Sequence, residues 1–337
     1  METLHLLELP VILYLQTLGN WAIFIARAFT FLGNEDFYFI VMPALFWCFD
    51  FRFGIQVGIM LILSNNLNAV LKLAFHSPRP YWINPNLNIS ITESSFGMPS
   101  GHAQNAASLW GLLAVKLHKK YRLILILVIF LIGFSRILLG VHFISDVMMG
   151  WLVGGLLLLL YTRIEHPIRK WITNQTPIRL HILSLMISIA LILIPILIIS
   201  SLKNWTVATS WMENAGQSIP DAVVDPLNPA GVISIAGVWL GMSNGLLLLF
   251  NNFGEFDISG TWYKKTLRYV IGLIGIIAVW YGLGAVFPRS DDFLGYSLRY
   301  IRYTLAGLWI SYIAPVLFSQ LKLAGFKQKT IKLIKHV

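Results

Sequence analysis

The chain has 337 residues, of which 57% are hydrophobic and only 12% are charged, and its formal net charge at pH 7 is +10. This composition excludes an ordinary soluble domain and indicates a polytopic membrane protein. With a single cysteine, Cys48, the chain cannot form an intrachain disulfide. The excess lysine and arginine lie in short loops between apolar stretches, a pattern that sets the orientation of a membrane protein and does not predict a nucleic-acid partner.

About ten apolar stretches approach the length that a membrane-spanning helix needs. The first two are atypical, because 11–32 contains Arg27 and 36–49 is short and contains Pro43. The other eight cover residues 53–75, 101–117, 123–139, 145–161, 182–202, 230–250, 269–287 and 301–321. We therefore predict an all-α polytopic membrane bundle with a six-helix core followed by about four C-terminal transmembrane helices.

The loops alternate in charge along the chain. Basic clusters lie at 116–122, at 163–179, at 264–268 and in the tail after residue 321, whereas the intervening loops carry acidic residues. Basic loops stay in the cytoplasm. This pattern predicts a multi-pass protein of a bacterial plasma membrane whose candidate site faces the periplasm, the cell exterior or a lumen.

The basic stretch that follows the sixth apolar segment is the best candidate boundary. We predict a membrane core at 1–163, a cytoplasmic basic linker at 164–179 and a C-terminal transmembrane extension at 180–337. The extension could shield the core, form a substrate entry path or support a homo-oligomer, and the sequence does not separate these roles.

The first motif, Lys-x6-Arg-Pro, ends the stretch 53–75 with Lys72 and Arg79. Seven residues are about two helical turns, so both cations can share one face. Pro78 and Pro80 end the helix and hold Arg79 in a turn. An arginine fork binds two phosphate oxygens at once and lysine adds a compact charge, so the motif predicts phosphate binding.

The second motif, Pro99-Ser100-Gly101-His102, begins the stretch 101–117. Ser100 is a candidate helix N-cap, and Gly101 lets the backbone approach an oxyanion closely. The free N–H groups of a helix N-terminus favour an anion. His102, near the same phosphate, is the candidate acid for the leaving oxygen.

The third motif is Ser135-Arg136-x5-His142-x3-Asp146. His142 and Asp146 are spaced to meet on one helical turn, where the carboxylate fixes one imidazole nitrogen and leaves the other free to attack phosphorus. Arg136 adds a third cation. A lone histidine at a helix end is usually interfacial, but six charged or titratable groups converging from three apolar segments are hard to explain by packing alone.

These motifs resemble the tripartite signature of the type 2 phosphatidate phosphatase superfamily, also called the lipid phosphate phosphatase or acid phosphatase–vanadium haloperoxidase superfamily. Every signature position is present between Lys72 and Asp146. The resemblance implies a helical membrane bundle that works without a metal or another cofactor. It implies a phosphohistidine on His142, oriented by Asp146, and protonation of the leaving alcohol by His102. It also implies a phosphate-binding set of Lys72, Arg79, Arg136, Ser100 and Gly101.

The leading interpretation is hydrolysis of a phosphomonoester or diphosphate on a membrane lipid. Candidate substrates are phosphatidate, phosphatidylglycerol phosphate, a polyprenyl diphosphate and a sphingoid-base phosphate. A lipid phosphotransferase that uses the same phosphohistidine stays open, as does a non-catalytic phospholipid binder or transporter. A haloperoxidase is disfavoured, because those relatives are generally soluble.

Overall fold

The computed structural model describes residues 2–327, and Met1 and residues 328–337, which include the end of the basic tail, lie outside the described residues. The described chain is almost entirely helical. Its strands are β1 (Glu255–Asp257) and β2 (Gly325–Lys327), which pair antiparallel. The predicted all-α membrane fold is confirmed.

The helices up to residue 173 carry all three motifs. Their bounds are α1 (Glu2–Gln16), α2 (Asn20–Phe31), α3 (Glu35–Ala44), α4 (Phe51–Phe75), α5 (Pro80–Ile83), α6 (Gly101–Asn105), α7 (Gly111–Lys116), α8 (Arg122–Leu138) and α9 (Ile144–Thr173). A π-helical turn extends α3 over Leu45–Phe49, and a second one, Ala106–Trp110, joins α6 to α7.

The remaining helices form the C-terminal half. Their bounds are α10 (Pro177–Ser201), α11 (Thr209–Ser218), α12 (Ala230–Asn252), α13 (Trp262–Ile277), α14 (Leu283–Val286), α15 (Phe293–Leu308) and α16 (Ala314–Gln320). The side chains of Thr261 and Asp292 accept hydrogen bonds from the first turns of α13 and α15, which satisfies backbone donors there.

Seven of the described helical segments are long and apolar enough to cross a membrane, or eight if the bent pair α1–α2 counts as one span. All four predicted spans of the C-terminal half are among them. The predicted single span 11–32 is two helices with a bend of 111°. The predicted spans 36–49 and 101–117 form helices that are too short to join the count, and each contains a π-helical turn.

Packing divides the chain into two compact units. The first contains the described residues up to Tyr38, together with Leu63–Thr162 and Ile194–Pro229. In it, α8 packs against α2, α6 and α7. The second contains Phe39–Ile62, Arg163–Leu193 and the chain from Ala230 onward. In it, α12 lies along α15, where a side chain at Gly241 would clash with the Thr304 carbonyl oxygen.

The predicted linker 164–179 is helical over most of its length. Helix α9 continues to Thr173, and α10 begins at Pro177, a position where a helix tolerates proline because its first N–H is unpaired anyway. Residues 194–229 of the predicted extension pack with the first unit. The linear division into three segments stays a prediction.

Candidate active site

All predicted site residues lie in the first unit, at the end of α4 and in the loop that follows it, at the start of α6, at the end of α8, and in and just before the first turn of α9. They are Lys72, Arg79, Ser100, Gly101, His102, Arg136, His142 and Asp146. The three motifs, which are up to 74 positions apart in the sequence (146 − 72), thus meet in one place.

Arg79 is fully buried and donates hydrogen bonds from all three guanidinium nitrogens. Its Nε donates to the Ser95 carbonyl oxygen at 2.7 Å, its Nη1 to that of Val141 at 3.0 Å and its Nη2 to that of Phe96 at 3.1 Å. The backbone of Arg79 is extended immediately before Pro80, which starts α5. The proline and the three carbonyl oxygens therefore fix the direction of the guanidinium group.

The Ser95 hydroxyl connects the two cations of the first motif. It accepts a hydrogen bond from Lys72 Nζ at 2.8 Å and another from Arg79 Nη2 at 3.2 Å. Helix α4 ends at Phe75, so Lys72 stands on its last turn and Arg79 lies beyond it. The predicted helix face therefore carries Lys72 alone, and the loop residue Ser95 brings the two charges together.

The second motif lies at the start of α6. Ser100 occupies the predicted N-cap position but makes no capping hydrogen bond through its side chain. Its hydroxyl is buried and has no partner among the described residues, and its N–H donates to the Asp146 carbonyl oxygen at 2.9 Å. A Cβ atom at Gly101 would lie 3.2 Å from Asn68 Oδ1, a tight contact that explains why glycine fits there.

His102 is joined to the turn before α3. Its Nε2 lies 2.6 Å from Asn34 Oδ1. Because an amide oxygen only accepts hydrogen bonds, this contact requires a proton on Nε2 of His102. Asn34 was not predicted as a partner of His102, although it lies in a polar interruption between two apolar stretches.

His142 and Asp146 are almost completely buried and interact across the first turn of α9. His142 Nδ1 lies 3.2 Å from Asp146 Oδ2, which also accepts from the Phe143 N–H at 3.0 Å. On the other side of the ring, His142 Nε2 lies 3.2 Å from Arg79 Nη1. Arginine is always a donor, so Nε2 of His142 accepts this hydrogen bond. The ring proton is therefore on Nδ1, which donates a hydrogen bond to Asp146.

Burial and positive charge both keep His142 neutral. Burial lowers the pKa of His142 well below its usual value, and the charges of Arg79, Arg136 and Lys72 lower it further. The imidazole therefore carries an unshared electron pair on Nε2 at neutral pH. That pair is directed at the cationic part of the site.

Arg136 is fully buried at the end of α8 and forms an ion pair with Glu93. Its Nη2 lies 2.5 Å from Glu93 Oε1, and its Nε and Nη1 have no partner among the described residues. The same carboxylate lies 3.6 Å from Arg79 Nη2. Sequence reasoning registered Glu93 only as one of several loop acids and did not place it in the site.

The pKa of Glu93 shows how many charges converge on it. Burial alone would raise this pKa, but the positive charges of Arg79, Arg136, His102 and Lys72 outweigh burial and hold it well below its usual range. Glu93 therefore marks a position at which residues from all three motifs stabilise an anionic group. Among residues 2–327, no group of three or more His, Cys, Asp or Glu side chains is arranged to hold a metal ion.

The segment after α10 braces the loop that carries Glu93. Asn214 Nδ2, in α11, donates to the carbonyl oxygens of Trp82 at 3.0 Å and Ile83 at 3.2 Å. The Asp225 N–H donates to the Ser94 carbonyl oxygen at 3.1 Å. Part of the predicted C-terminal extension thus supports the candidate site directly.

Comparison with known families matches two parts of the chain. The PAP2 superfamily matches residues 53–170, which include all three motifs. The description "PAP2 superfamily phosphatase, transmembrane extension" matches residues 233–326. The predicted resemblance to this superfamily is confirmed.

Individual relatives are similar over part of the chain. Phosphatidylglycerophosphatase B of Bacillus subtilis is 35% identical over 128 residues, which are 34% of this chain and 61% of the relative. Undecaprenyl-diphosphatase of Sulfolobus acidocaldarius is 27% identical over 159 residues, which are 46% of this chain and 75% of the relative. The chain thus spans less than two thirds of the Bacillus relative.

One solved structure is a transmembrane PAP2-type phosphatidylglycerolphosphate phosphatase from Bacillus subtilis. The two sequences are 26% identical, and the alignment covers 50% of this chain and 89% of the solved chain, with a TM-score of 0.42.

Proposed function

The chain belongs to the PAP2 superfamily, and from this membership and the site geometry we propose that it is a membrane lipid phosphatase. The reaction is hydrolysis of a phosphomonoester or diphosphate on a lipid, through a phosphohistidine intermediate. The observation that carries the proposal is the position of His142, whose Nδ1 is held by Asp146 while its unprotonated Nε2 faces the cations.

The three cations bind the phosphoryl oxygens. Arg79 is held rigidly by loop carbonyl oxygens, and Arg136 keeps two guanidinium nitrogens without a protein partner among the described residues. Lys72 adds a third positive charge, and its hydrogen bond to Ser95 holds it beside Arg79. Fixed positive charge stabilises the transition state of phosphoryl transfer most, because negative charge is then spread over the equatorial oxygens. The unpartnered Ser100 hydroxyl supplies a further donor.

The first half-reaction forms a covalent bond to the enzyme. His142 Nε2 attacks phosphorus, the N–P bond forms, and the bond from phosphorus to the lipid oxygen breaks. With the phosphate dianion bound, His102 is doubly protonated; it donates its Nδ1 proton to that oxygen and keeps the Nε2 proton that Asn34 accepts, so the lipid leaves as an alcohol or, from a diphosphate, as a monophosphate. Asp146 stabilises the positive charge on the phosphorylated imidazole.

The second half-reaction returns the enzyme to its starting state. A water molecule attacks phosphorus while His102, now neutral, takes a proton from it at Nδ1. The P–N bond breaks, His142 regains its electron pair and inorganic phosphate leaves.

The site is proposed to face away from the cytoplasm. Arg122 begins α8 beside Lys116, Lys119 and Lys120, and Arg136 lies at the other end of that helix. Fourteen residues of helix (136 − 122) extend about 21 Å, so the basic loop and the site lie at opposite ends of one span. By the positive-inside rule, this arrangement supports a site at the periplasmic, extracellular or lumenal surface.

The test is phosphate release by detergent-purified protein in EDTA. The panel contains phosphatidate, phosphatidylglycerol phosphate, undecaprenyl diphosphate and sphingosine phosphate. We expect release from at least one of these lipids, at a rate that EDTA leaves unchanged. Absence of release from all four, or transfer to an added alcohol with little free phosphate, would contradict hydrolysis.

Glu93 is expected to compete with phosphate for the cations. Glu93→Gln keeps the side-chain shape and removes the negative charge that contacts Arg136 and Arg79. We expect the inhibition constant of vanadate, which mimics phosphate in the transition state, to fall about fivefold, the equivalent of ~1 kcal/mol for a partly exposed ion pair. The inhibition constant is measured from the rate of phosphate release at increasing concentrations of vanadate.

The control is Glu213→Gln, which makes the same change at an exposed carboxylate of α11. It should leave vanadate inhibition as in the wild type. Weaker inhibition in Glu93→Gln than in the control would show that Glu93 organises the cations and does not compete with the substrate.

A further inference from the structure

Three arginine side chains of the second unit line one cavity at the connection between two predicted spans. The cavity lies beside residues 287–292, which join α14 to α15, and its polar lining is Arg289, Ser290, Asp291, Tyr296, Arg299 and Arg302. Its volume is about 40 Å³, which is room for about three water-sized groups and thus for one phosphate group.

The guanidinium groups are brought close together by packing. A Cβ atom at Gly284 would lie 2.6 Å from Arg302 Nη1 and 3.7 Å from Arg289 Nη2, so the glycine leaves room for both. The guanidinium carbons of Arg299 and Arg302 lie 5.4 Å and 5.2 Å from the centre of the same Tyr303 ring. All three guanidinium-bearing side chains thus border the same cavity.

Carboxylates do not balance these charges. In residues 2–327, none of the three arginines forms an ion pair, and Arg302, which is 8% exposed, has an Nε without any hydrogen-bond partner. Arg299 Nε donates to the Ala230 carbonyl oxygen and to Ser234 Oγ, which are neutral. The one carboxylate in the lining, Asp291, accepts from Tyr296 Oη at 3.1 Å. The cavity therefore keeps a net positive charge.

The position of these charges in the membrane favours an anionic partner. Arg299 and Arg302 lie roughly 9 Å and 14 Å from the start of α15, inside the span Phe293–Gln320. Charged side chains at such depth are costly unless they are paired or solvated, and they mark functional sites. The flanking Val286 and Phe293 side chains are exposed, as expected for residues that contact lipid chains.

We propose that this cavity binds a phosphate group, separately from the candidate active site and without chemistry there. A phosphodiester lipid head group and free phosphate share this chemistry, and the depth of the arginines fits a head group whose acyl chains lie along Val286 and Phe293. The site would hold a lipid at the transmembrane extension, a role that the proposed hydrolysis does not require.

The experiment is native mass spectrometry of the full chain in detergent, titrated with phosphatidylglycerol, phosphatidylcholine or inorganic phosphate. We expect Arg299→Gln and Arg302→Gln each to weaken retention of one phosphatidylglycerol about tenfold, the loss expected for a charge-assisted hydrogen bond. Phosphatidylcholine, in which the choline ammonium offsets the charge of the phosphodiester, should show a smaller difference. Because Arg302 is buried and its replacement can impair folding, Arg289→Gln, at an exposed position, is measured beside it and should weaken retention in the same direction.

The matched control is Arg163→Gln, which removes the same charge from an exposed position on α9. It should retain phosphatidylglycerol as the wild type does. A difference seen with inorganic phosphate alone would still support the site and identify free phosphate as its ligand. Equal binding of every ligand by all variants and the control would overturn the proposal, whatever the outcome of the hydrolysis assay.

Discussion

Replacing His142 with alanine is expected to lower phosphate release from a lipid phosphomonoester by at least about 1,000-fold, because the nucleophile is then absent. Its Nε2 is the unprotonated nitrogen that faces Arg79, and water in its place would lack both the covalent intermediate and the support of Asp146. Release of inorganic phosphate in detergent micelles, with enzyme in excess, measures the loss. Wild type incubated with substrate that is radiolabelled in its phosphate, and quenched in alkaline detergent, should carry a phosphoryl group that is stable in alkali and lost in acid, and that the variant lacks.

The control for this prediction is His118→Ala. His118 precedes the short helical turn at Lys119 and is exposed, so its removal should leave the rate unchanged. Both variants should elute from size exclusion as the wild type does. Retention by His142→Ala of a tenth of the wild-type rate, or a labelled phosphoryl group on it, would rule out His142 as the nucleophile.

Helix location was largely predictable, because a bilayer requires long apolar segments and few sequences supply them by chance. The four C-terminal spans were placed correctly. The helices at 36–49 and 101–117 were placed within one residue of their observed bounds, but their π-helical turns were not predicted, because hydropathy does not register such a turn. The bend between α1 and α2 is likewise set by Gly19, whose φ of 86° breaks the helix without a change in hydropathy.

The candidate site was predictable where residues have a fixed spacing. The pairing of His142 with Asp146 was predicted from a spacing of four residues, and the structure contains it, although His142 lies two residues before α9 begins at Ile144. The ion pair of Arg136 with Glu93 joins positions that are 43 residues apart, and no local pattern specifies such a contact. Ser95 and Asn34 were missed for the same reason, since both lie in loops without periodicity.

The support of the site by the C-terminal half was also outside the reach of sequence reasoning. Asn214 and Asp225 bind the loop that carries Glu93, although they follow α10 in the chain. Backbone hydrogen-bond acceptors carry no side-chain signature, so the partners Trp82, Ile83 and Ser94 could not be identified. The bracing gives residues 194–229 a structural role that the sequence left open.

Arg79→Lys is expected to reduce kcat/KM about 100-fold or more, which is about 3 kcal/mol of transition-state stabilisation. The guanidinium group is fully buried, and its three nitrogens meet carbonyl oxygens in three directions while Nη1 also reaches His142. An ammonium group has three donors and cannot replace the five N–H groups with which Arg79 holds the loop and His142 and so places its positive charge at the phosphate. Steady-state kinetics with the best lipid of the panel, together with vanadate inhibition, measures the effect.

The matched control is Arg52→Lys, at a side chain that is 68% exposed and pairs with Glu255 at 2.6 Å. Surface ion pairs contribute at most about 1 kcal/mol, so this variant should keep wild-type kinetics and melting temperature. Arg79→Lys should also melt earlier, because the carbonyl oxygens of Ser95, Phe96 and Val141 would lose buried donors. A loss of melting temperature with unchanged kcat/KM and vanadate inhibition would show that Arg79 supports the loop and does not hold the phosphate.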